Sequence, residues 1–499
     1  MRNFLIVLLV IILASVTSCR KDFTTVQSFG NLEFSKDTVF LDTVFSNIGS
    51  ATHNLKVYNR GSKAITIPSI QLENGMASNY RLNVDGIAGD TFNDIDILAN
   101  DSMYVFIETT IDFNAVPNPL YTDKILFDNG NNQQDVDLVT LVQDAVFLFP
   151  DRDPISMKID SLTLDGQPTT IRGRFLEDSE LTFTKEKPYV IYGYMAVPNG
   201  KTATINAGAK LHFHDNSGFI VDNGATLKSN GTLTEKVVFE GDRLEHTFSN
   251  IPGQWGTLWM RAGSKENELH NTQIKNGIIG VLVDSINGTN PVLTLKNTEI
   301  YNNSNYGILA RETNILGENV VIGNASQASL AATIGGTYNF THSTFANYWS
   351  NSLRQLPSVL VNNHFTYLNA SGDEITETRD LHAANFTNCI ITGNNNIEFI
   401  LDKVDGSAFN YSATNSLIQF EDVGGTFTNN TEMDFTNSNY NNIILNGFPH
   451  FRDTSKNDFI IGENSDAINA AAPSSISEDI LGVSRTVNPA IGAYQDIIF

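Results

Sequence analysis

Cysteine is nearly absent from this chain of 499 residues, which holds only Cys19 and Cys389. Two cysteines cannot build the dense disulfide framework that stabilises small secreted domains. If Cys19 is chemically modified, no bridge within the chain can form at all. The fold must then be stabilised by the burial of apolar side chains, and a chain of this length has ample material for a core.

Positive charge is also scarce. Lys and Arg number 31 against 55 Asp and Glu, which gives a net charge of −24. A surface with this charge repels polyanions over several ångströms. The balance therefore argues against nucleic acid and against anionic glycans as simple electrostatic partners, and it is compatible with a soluble envelope protein.

Hydrophobic runs long enough to cross a membrane are missing as well. The apolar run at residues 4–14 has 11 residues, whereas a transmembrane helix needs about 20. A short run of this kind after a basic residue, here Arg2, is typical of a signal-peptide core. The sequence therefore predicts a signal peptide at residues 1–18.

The end of this signal sequence carries a recognisable motif. Residues 16–19, VTSC, resemble a bacterial lipobox, in which small residues precede a cysteine that is diacylated. The resemblance implies lipidation of Cys19 and a tether over residues 19–23, and an ordinary cleaved signal is the alternative. Arg20 stands where an Asp often marks retention at the inner membrane, so an outer-membrane lipoprotein of a Gram-negative bacterium is expected. Its orientation, periplasmic or surface-exposed, stays open.

Residues 24–148 show short runs of β-branched and aromatic residues between turn residues. This spacing predicts a β-sandwich of antiparallel strands. Asn59-Arg60-Gly61 followed by residues 65–67, ITI, resembles the immunoglobulin-like domains of the ASPM/SPD-2/Hydin type. The resemblance implies a spacer or docking module. Two prolines and three charges in residues 149–154, FPDRDP, indicate a boundary, so residues 149–184 are predicted to be a linker and an N-terminal cap.

A four-residue frame then recurs along the chain, often at intervals of 26 or 27 residues. Its first position is Asn in seven copies and His in one, and its fourth is Ile or Phe in all eight. The frames begin at residues 271, 297, 319, 342, 362, 388, 415 and 441. Because side chains alternate along a strand, the second and fourth positions point inward, which places Cys389 in the core. The Asn column predicts a ladder of amides that hydrogen-bond from coil to coil.

Short strands at this period, without helical periodicity, predict a solenoid of β-coils. The pattern resembles the right-handed parallel β-helix of pectate-lyase-like proteins. The expected fold class is all-β, with an Ig-like sandwich followed by a right-handed parallel β-helix over residues 185–463. Residues 464–499 resemble the closing segment of bacterial envelope β-helix proteins and are predicted to cap the solenoid. In the outward third position, Ile390, Leu417 and Ile443 form an apolar column that a loop covers or that forms a contact surface.

Candidate catalytic residues are few. The polygalacturonase-like signatures Asn-Thr-Asp, Asp-Asp and Gly-His-Gly do not occur. Lyases need a base beside groups that neutralise a uronate, and hydrolases need two carboxylates. Weak candidates lie on two neighbouring coils and in the loop at 366–381: Lys275, Glu299, Tyr301, Asp373, Glu374 and Arg379. An exposed cross-strand pair is the simpler interpretation of the first group.

Two further sets of side chains could bind a ligand. His212 and His214 lie on one side of a strand and could begin a metal site, although no third ligand stands at a diagnostic spacing. Aromatic side chains could stack on sugar rings, with core packing as the alternative. They are Trp255, Trp259, Tyr348 and Trp349, and the four-residue interval between the first two predicts that their rings share one side.

These observations favour a lipid-anchored outer-envelope protein whose β-helix binds a glycan or a surface partner along its lateral face without catalysis. A polysaccharide lyase or glycoside hydrolase is the alternative, because a fold does not fix a function. A purely structural envelope role is the third hypothesis. No cofactor is predicted, and calcium enters only as a bridge to a polyuronate. Nucleic acid is not an expected partner.

Overall fold

A computed structural model describes residues 24–284 and 290–499. The predicted signal peptide and Cys19 lie outside the described residues. The chain divides into two compact units, with the boundary between Asp144 and Ala145. No helix in the described part of the chain combines the length and apolarity required to cross a membrane.

The first unit is a sandwich of two sheets. One sheet contains, in order, Val26–Gln27, Ile65–Leu72, Leu120–Phe127, Gln134–Gln143 and Thr38–Phe45, with Thr91–Ile97 also paired to Ile65–Leu72. The other contains Glu33–Phe34, His53–Asn59, Asp101–Thr109, Tyr80–Val84 and Ile87–Gly89. Two pairings in the first sheet are parallel, so the sandwich is not purely antiparallel as expected. Short 3-10 helices span Gly75–Ala77, Phe113–Ala115 and Gly130–Asn132.

The Asn59-Arg60-Gly61 motif has a structural explanation. Asn59 is buried at a turn, and its amide donates to the carbonyls of Lys63 at 2.8 Å and Leu98 at 2.9 Å. Its side-chain oxygen accepts from the Gly61 backbone N–H at 2.9 Å. A buried amide whose donors and acceptor are all satisfied fixes the turn between two strands.

The second unit is a solenoid of β-coils whose strands form three parallel ladders. The first ladder contains Val146–Leu148, Tyr189–Ile191, Lys210–Phe213, Val237–Gly241, Thr272–Lys275, Thr344–Asn347, Ile390–Gly393, Leu417–Ile418 and Ile444–Leu445. The second contains Gln167–Phe175, Tyr194–Val197, Gly218–Val221, Trp255–Met260, Gly277–Asp284, Val359–Asn362 and Phe399–Asp402. The third contains Thr182–Phe183, Thr202–Asn206, Thr226–Asn230, Asn267–His270, Leu381–Thr387, Phe409–Thr414 and Tyr440–Asn441. Three long strands bend from one ladder to the next: Leu293–Asn303, Tyr306–Ala325 and Ala328–Thr341.

The described part of this unit also contains three antiparallel hairpins and four 3-10 helices. The hairpins pair Ser161–Leu164 with Gln167–Phe175, His364–Leu368 with Glu374–Thr378, and Phe451–Asp453 with Asp458–Ile461. The helices span Asp178–Glu180, His246–Phe248, Thr431–Met433 and Thr454–Lys456. Strands at 146–148, 167–175 and 182–183 belong to the ladders, so the β-coils begin before residue 185 and occupy much of the predicted linker and cap.

The recurring Asn has a backbone role. Seven residues at this position have a left-handed backbone with φ between 44° and 56°: Asn271, Asn297, Asn319, His342, Asn388, Asn415 and Asn442. Asn tolerates this conformation better than most residues, and its side chain bonds locally. The expected amide ladder joins three coils, where Asn297 Nδ2 donates to Asn271 Oδ1 at 3.4 Å and Asn319 Nδ2 donates to Asn297 Oδ1 at 3.0 Å. Farther along the column the Asn415 amide donates instead to the Ala470 carbonyl, at 3.0 Å.

Two of the eight predicted frames need correction. The frame at 362 is not part of the column, because Asn362 ends a strand of the second ladder and the hairpin at 364–378 follows it. The interval from His342 to Asn388 is therefore 46 residues. The last frame begins at Asn442 rather than at 441, since Ile444 pairs with Leu417. Ile443 accordingly packs against the core.

The C-terminal segment, residues 446–499, covers the outward side of the first ladder between Tyr301 and Leu417. Phe459, Ala493 and Tyr494 pack on Tyr301, Val321 and Ala346, and Ile461, Ala467 and Ile491 pack on Ile390 and Leu417. Ile390 and Leu417 of the predicted apolar column are therefore covered by another segment of the chain and do not form a free contact surface. The predicted cap at 464–499 lies along the side of the solenoid instead of over its end, where Phe427, Met433, Phe435 and Tyr440 meet the core.

The fold class expected from the sequence, an all-β sandwich followed by a β-solenoid, is confirmed. One continuous core runs along the inside of the solenoid, from Leu148 to Tyr440. Cys389 lies in it, fully buried, as its frame position predicts. Burial raises the pKa of its thiol to about 12, so it is a packing residue rather than a nucleophile.

Candidate functional site

The predicted triad on neighbouring coils splits into two separate interactions. Glu299 accepts hydrogen bonds from Lys236 Nζ at 2.5 Å and from the Tyr301 hydroxyl at 2.9 Å. Lys275 instead pairs with Glu240, at 2.7 Å. Glu299 and Tyr301 are buried beneath Tyr494, whose hydroxyl donates to Glu299 at 3.4 Å. Burial raises the pKa of Tyr301 well above its ordinary value, so this group is suited to anchoring the C-terminal segment and not to proton transfer with a polymer.

The acidic loop at 366–381 is an exposed hairpin. Asp373 and Glu374 lie at its turn, where the Asp373 carboxylate accepts a hydrogen bond from the Asn369 side-chain amide at 3.2 Å. Arg379 pairs with Glu377 at 2.9 Å. These contacts hold the hairpin together, and they do not bring its carboxylates to the groups at Glu299 and Lys275.

The two tryptophans of the second ladder do not share a side as predicted. Trp255 is fully buried, stacks on Phe213 with ring centroids 4.4 Å apart, and donates its indole N–H to the Lys275 carbonyl. Trp259 faces outward and donates to Asp284 at 2.7 Å. The pairing register shifts between residues 257 and 258, which interrupts the two-residue alternation of side chains.

The other aromatic pair lies near the C-terminal segment. Tyr348 lines a cavity of about 380 Å³ together with Thr392 and Gln419, and its ring packs edge-on against Phe451. Trp349 is buried, and its indole N–H donates to Ser352 at 2.8 Å. Of the four predicted aromatic residues, only Tyr348 lines one of the described cavities.

His212 and His214 project from the same side of the first ladder but have different surroundings. His212 is buried, its Nδ1 lies 3.3 Å from the Gly241 carbonyl oxygen, and burial lowers its pKa. The His214 side chain is 47% exposed, and Nδ1 lies 2.7 Å from Asp242 Oδ2. This hydrogen bond raises the pKa of His214. Within residues 24–284 and 290–499 no three His, Cys, Asp or Glu side chains come together as a metal site.

His214 belongs to a row of rings that the first ladder aligns. Leu148 pairs with Ile191, and Ile191 pairs with Phe213, so the residues that follow these three lie above one another. These residues form the aromatic row: Phe149, Tyr192 and His214. Ring centroids are 4.9 Å apart between Phe149 and Tyr192 and 4.3 Å apart between Tyr192 and His214, which matches the spacing of adjacent strands.

The aromatic row lines a cavity of about 680 Å³. The other lining residues are Pro150, Arg152, Ile159, Arg172, Gly193, Asp215 and Asn216. Burial raises the pKa of Tyr192 to about 12, so its phenol stays neutral and able to donate at physiological pH. Apolar ring faces with a few polar groups around them are the usual composition of a small-molecule site.

Sequence reasoning identified His214 but missed Phe149 and Tyr192. Phe149 stood in the supposed linker, and Tyr192 in an early coil without an Asn frame. The signal was available in the three segments LFP, IYG and FHD, where an aromatic residue follows an aliphatic or aromatic strand end. The intervals between these segments differ, so a search at 26 or 27 residues could not find them.

Comparison with known proteins gives little further information. No protein-family model matches the chain, and no curated protein matches it. Among 14 solved chains with detectable similarity is a family 123 glycoside hydrolase from Clostridium perfringens, described in a study of glycolipid glycan hydrolysis. It is 13% identical, with a TM-score of 0.18, over 24% of this chain and 28% of the hydrolase. The match spans less than a third of that protein, and similarity of this extent carries no argument about fold or function.

Proposed function

We propose that this chain is a lipid-anchored outer-envelope protein whose β-helix binds a glycan in the cavity of the aromatic row, without catalysing a reaction. The stacked rings of Phe149, Tyr192 and His214 beside a cavity of about 680 Å³ are the observation that carries the proposal. A sugar ring presents apolar C–H groups on its faces and hydroxyls on its edge, so it pairs with an aromatic face surrounded by polar groups.

The ligand is assigned to this cavity because the lateral face originally expected to bind it is covered. Between Tyr301 and Leu417 the outward side of the first ladder packs against the C-terminal segment. The aromatic row belongs to earlier coils, and its Tyr192 and His214 contribute to the cavity wall. Membership of the pectate-lyase-like β-helix proteins, with an immunoglobulin-like first domain, is part of the proposal and is supported by the sequence resemblance.

Glycan binding is tested with soluble residues 20–499 on an array of neutral and acidic glycans, followed by calorimetry on the best ligand. Tyr192→Ala should lower its affinity about fivefold, since ring stacking contributes about 1 kcal/mol. The matched control is Tyr104→Ala, which removes an exposed tyrosine stacked on Phe106 in the first unit. Binding by Tyr192→Ala equal to that of the control would overturn the proposal.

The anchor is supported by the lipobox alone, because Cys19 lies outside the described residues. Lipidation of Cys19 should place the native protein in the membrane fraction, and Cys19→Ala should release it to the soluble fraction. Mass spectrometry of the mature N-terminus should find the acyl chains on this residue. Recovery of unmodified native protein in the soluble fraction would contradict the anchor while leaving the glycan proposal standing.

A polysaccharide-degrading enzyme is the second candidate, and His214 is the observation that favours it. Asp242 orients the imidazole through Nδ1, which is how carboxylates position a general base. Release of reducing ends or of unsaturated uronate from any polysaccharide, abolished by His214→Gln, would establish this alternative. Turnover of that kind would refute the non-catalytic proposal.

A further inference from the structure

The cavity of the aromatic row contains positive charge that the protein itself does not neutralise. Arg152 and Arg172 both line it and are exposed to solvent, and within the described residues neither guanidinium has a hydrogen-bond or ion-pair partner. This is unusual in a chain with 31 basic and 55 acidic residues, where arginines such as Arg174, Arg261 and Arg354 all pair with carboxylates.

Two acidic groups at the cavity already have partners. Asp242 is paired with His214 at 2.7 Å. Asp215, the acidic residue of the lining, accepts a hydrogen bond from the Asn216 side-chain amide at 2.8 Å. The lining itself contains two guanidiniums and one carboxylate, while the chain as a whole carries −24 and Asp151 and Asp153 flank Arg152.

Resting on the proposed glycan-binding function, we infer that the cavity selects a sugar ring bearing one anionic substituent, a carboxylate or a sulfate, within an otherwise neutral glycan. The guanidinium fork matches either group with two parallel hydrogen bonds. The aromatic row supports the ring, and Arg152 and Arg172 bind its anionic group. A continuous polyanion is disfavoured, because the protein's net charge of −24 repels the anionic groups of the polysaccharide that lie outside the cavity.

The inference is tested by titrating soluble residues 20–499 with glucose, glucuronate, glucose 6-sulfate and polygalacturonate at low salt. Glucuronate or the sulfate should bind about tenfold more tightly than glucose, which corresponds to one charge-assisted contact. The two anionic sugars distinguish carboxylate from sulfate as the preferred group. Polygalacturonate should bind no more tightly per ring than glucuronate.

The variant Arg152→Gln/Arg172→Gln should reduce this preference to less than about twofold. Arg81→Gln, an exposed arginine of the first unit, is the matched control. Equal affinity for charged and neutral sugars, a preference that survives in the double variant, or tighter binding of polygalacturonate would each overturn the inference.

Failure of the inference is distinguishable from failure of the proposed function. If charged and neutral sugars bind equally and Tyr192→Ala weakens both, the cavity binds glycans but does not select an anion. If none of these four ligands binds and no glycan of the array depends on Tyr192, the inferred anion preference and the proposed glycan binding both fail. A thermal melt of each variant establishes that lost binding does not come from unfolding.

Discussion

Phe459 should be the principal anchor of the C-terminal segment. Its ring is fully buried and lies against three others, with centroids 5.3 Å from Phe451, 6.2 Å from Tyr301 and 6.3 Å from Tyr348. It also fills the space above Gly323, where an added Cβ would collide with the Phe459 ring. Phe459→Ala would leave a cavity between the segment and the first ladder.

The expected cost of Phe459→Ala is about 4 kcal/mol, since buried Phe→Ala changes cost about 3–5 kcal/mol including the cavity. If this energy holds the C-terminal segment on the first ladder, the equilibrium constant for detachment of the segment rises about a thousandfold in the variant. Hydrogen exchange, read by mass spectrometry on peptides from residues 446–499, measures this directly. The sandwich of the first unit should exchange at the wild-type rate.

Phe448→Ala is the matched control, because Phe448 belongs to the same segment but is 59% exposed. Its effect should stay within about 0.5 kcal/mol. If Phe459→Ala speeds exchange by less than tenfold, or no more than the control, the segment does not depend on this ring. The covered state of the first ladder would then need a different physical explanation.

Three further predictions concern single contacts. Glu398→Gln should lower the free energy of unfolding by about 3–5 kcal/mol in a denaturant titration, because it leaves the buried Arg354 charge unpaired. The double variant Glu398→Leu/Arg354→Met should recover most of this loss. A loss below about 1 kcal/mol for Glu398→Gln would refute the reasoning. Asp242→Asn should lower the NMR-measured pKa of His214. Because the pKa of His214 is raised in the folded state, the His214–Asp242 pair stabilises the fold fully at pH values below the unfolded pKa of about 6.5. This stabilisation is lost as the pH rises through the pKa of the folded state. An unchanged titration of His214 in Asp242→Asn would contradict the pairing. Asn415→Ala should be about 1–2 kcal/mol less stable than Asn415→Gly, because both lose the 3.0 Å bond to the Ala470 carbonyl but only Ala strains the left-handed backbone; equal stability contradicts this reasoning.

The solenoid could be predicted because one local requirement recurs in seven of its coils. A left-handed backbone at the corner before the first-ladder strand of these coils favours Asn, and the alternation after it fixes which side chains point inward. Asn271, Asn297 and Asn388 therefore mark the coils in the sequence itself. The frame at 362 failed because an inserted hairpin lengthens one coil, and a local pattern has no information on insertions.

Long-range packing could not be predicted in the same way. The docking of Tyr494 on Glu299 joins residues 195 positions apart, and no periodicity connects them. Lys275, Glu299 and Tyr301 looked like an exposed patch because the ladder alone exposes them. The same limit applies to the aromatic row, whose members stand at unequal intervals and become neighbours only through the strand register.

The covered first ladder also explains why a ligand site would lie near the beginning of the solenoid. From Tyr301 onward the outward side chains of this ladder contact Phe459, Tyr494 and the rest of the C-terminal segment, so their polar groups are satisfied within the protein. In the earlier coils the same ladder presents the aromatic row, and Arg152 and Arg172 line the cavity beside it without partners among the described residues. Both arginines are exposed, so their guanidiniums are accessible to an anionic ligand beside the stacked rings. Arg152 and Arg172, rather than the acidic hairpin or the buried Glu299, are therefore the residues from which a search for the ligand should begin.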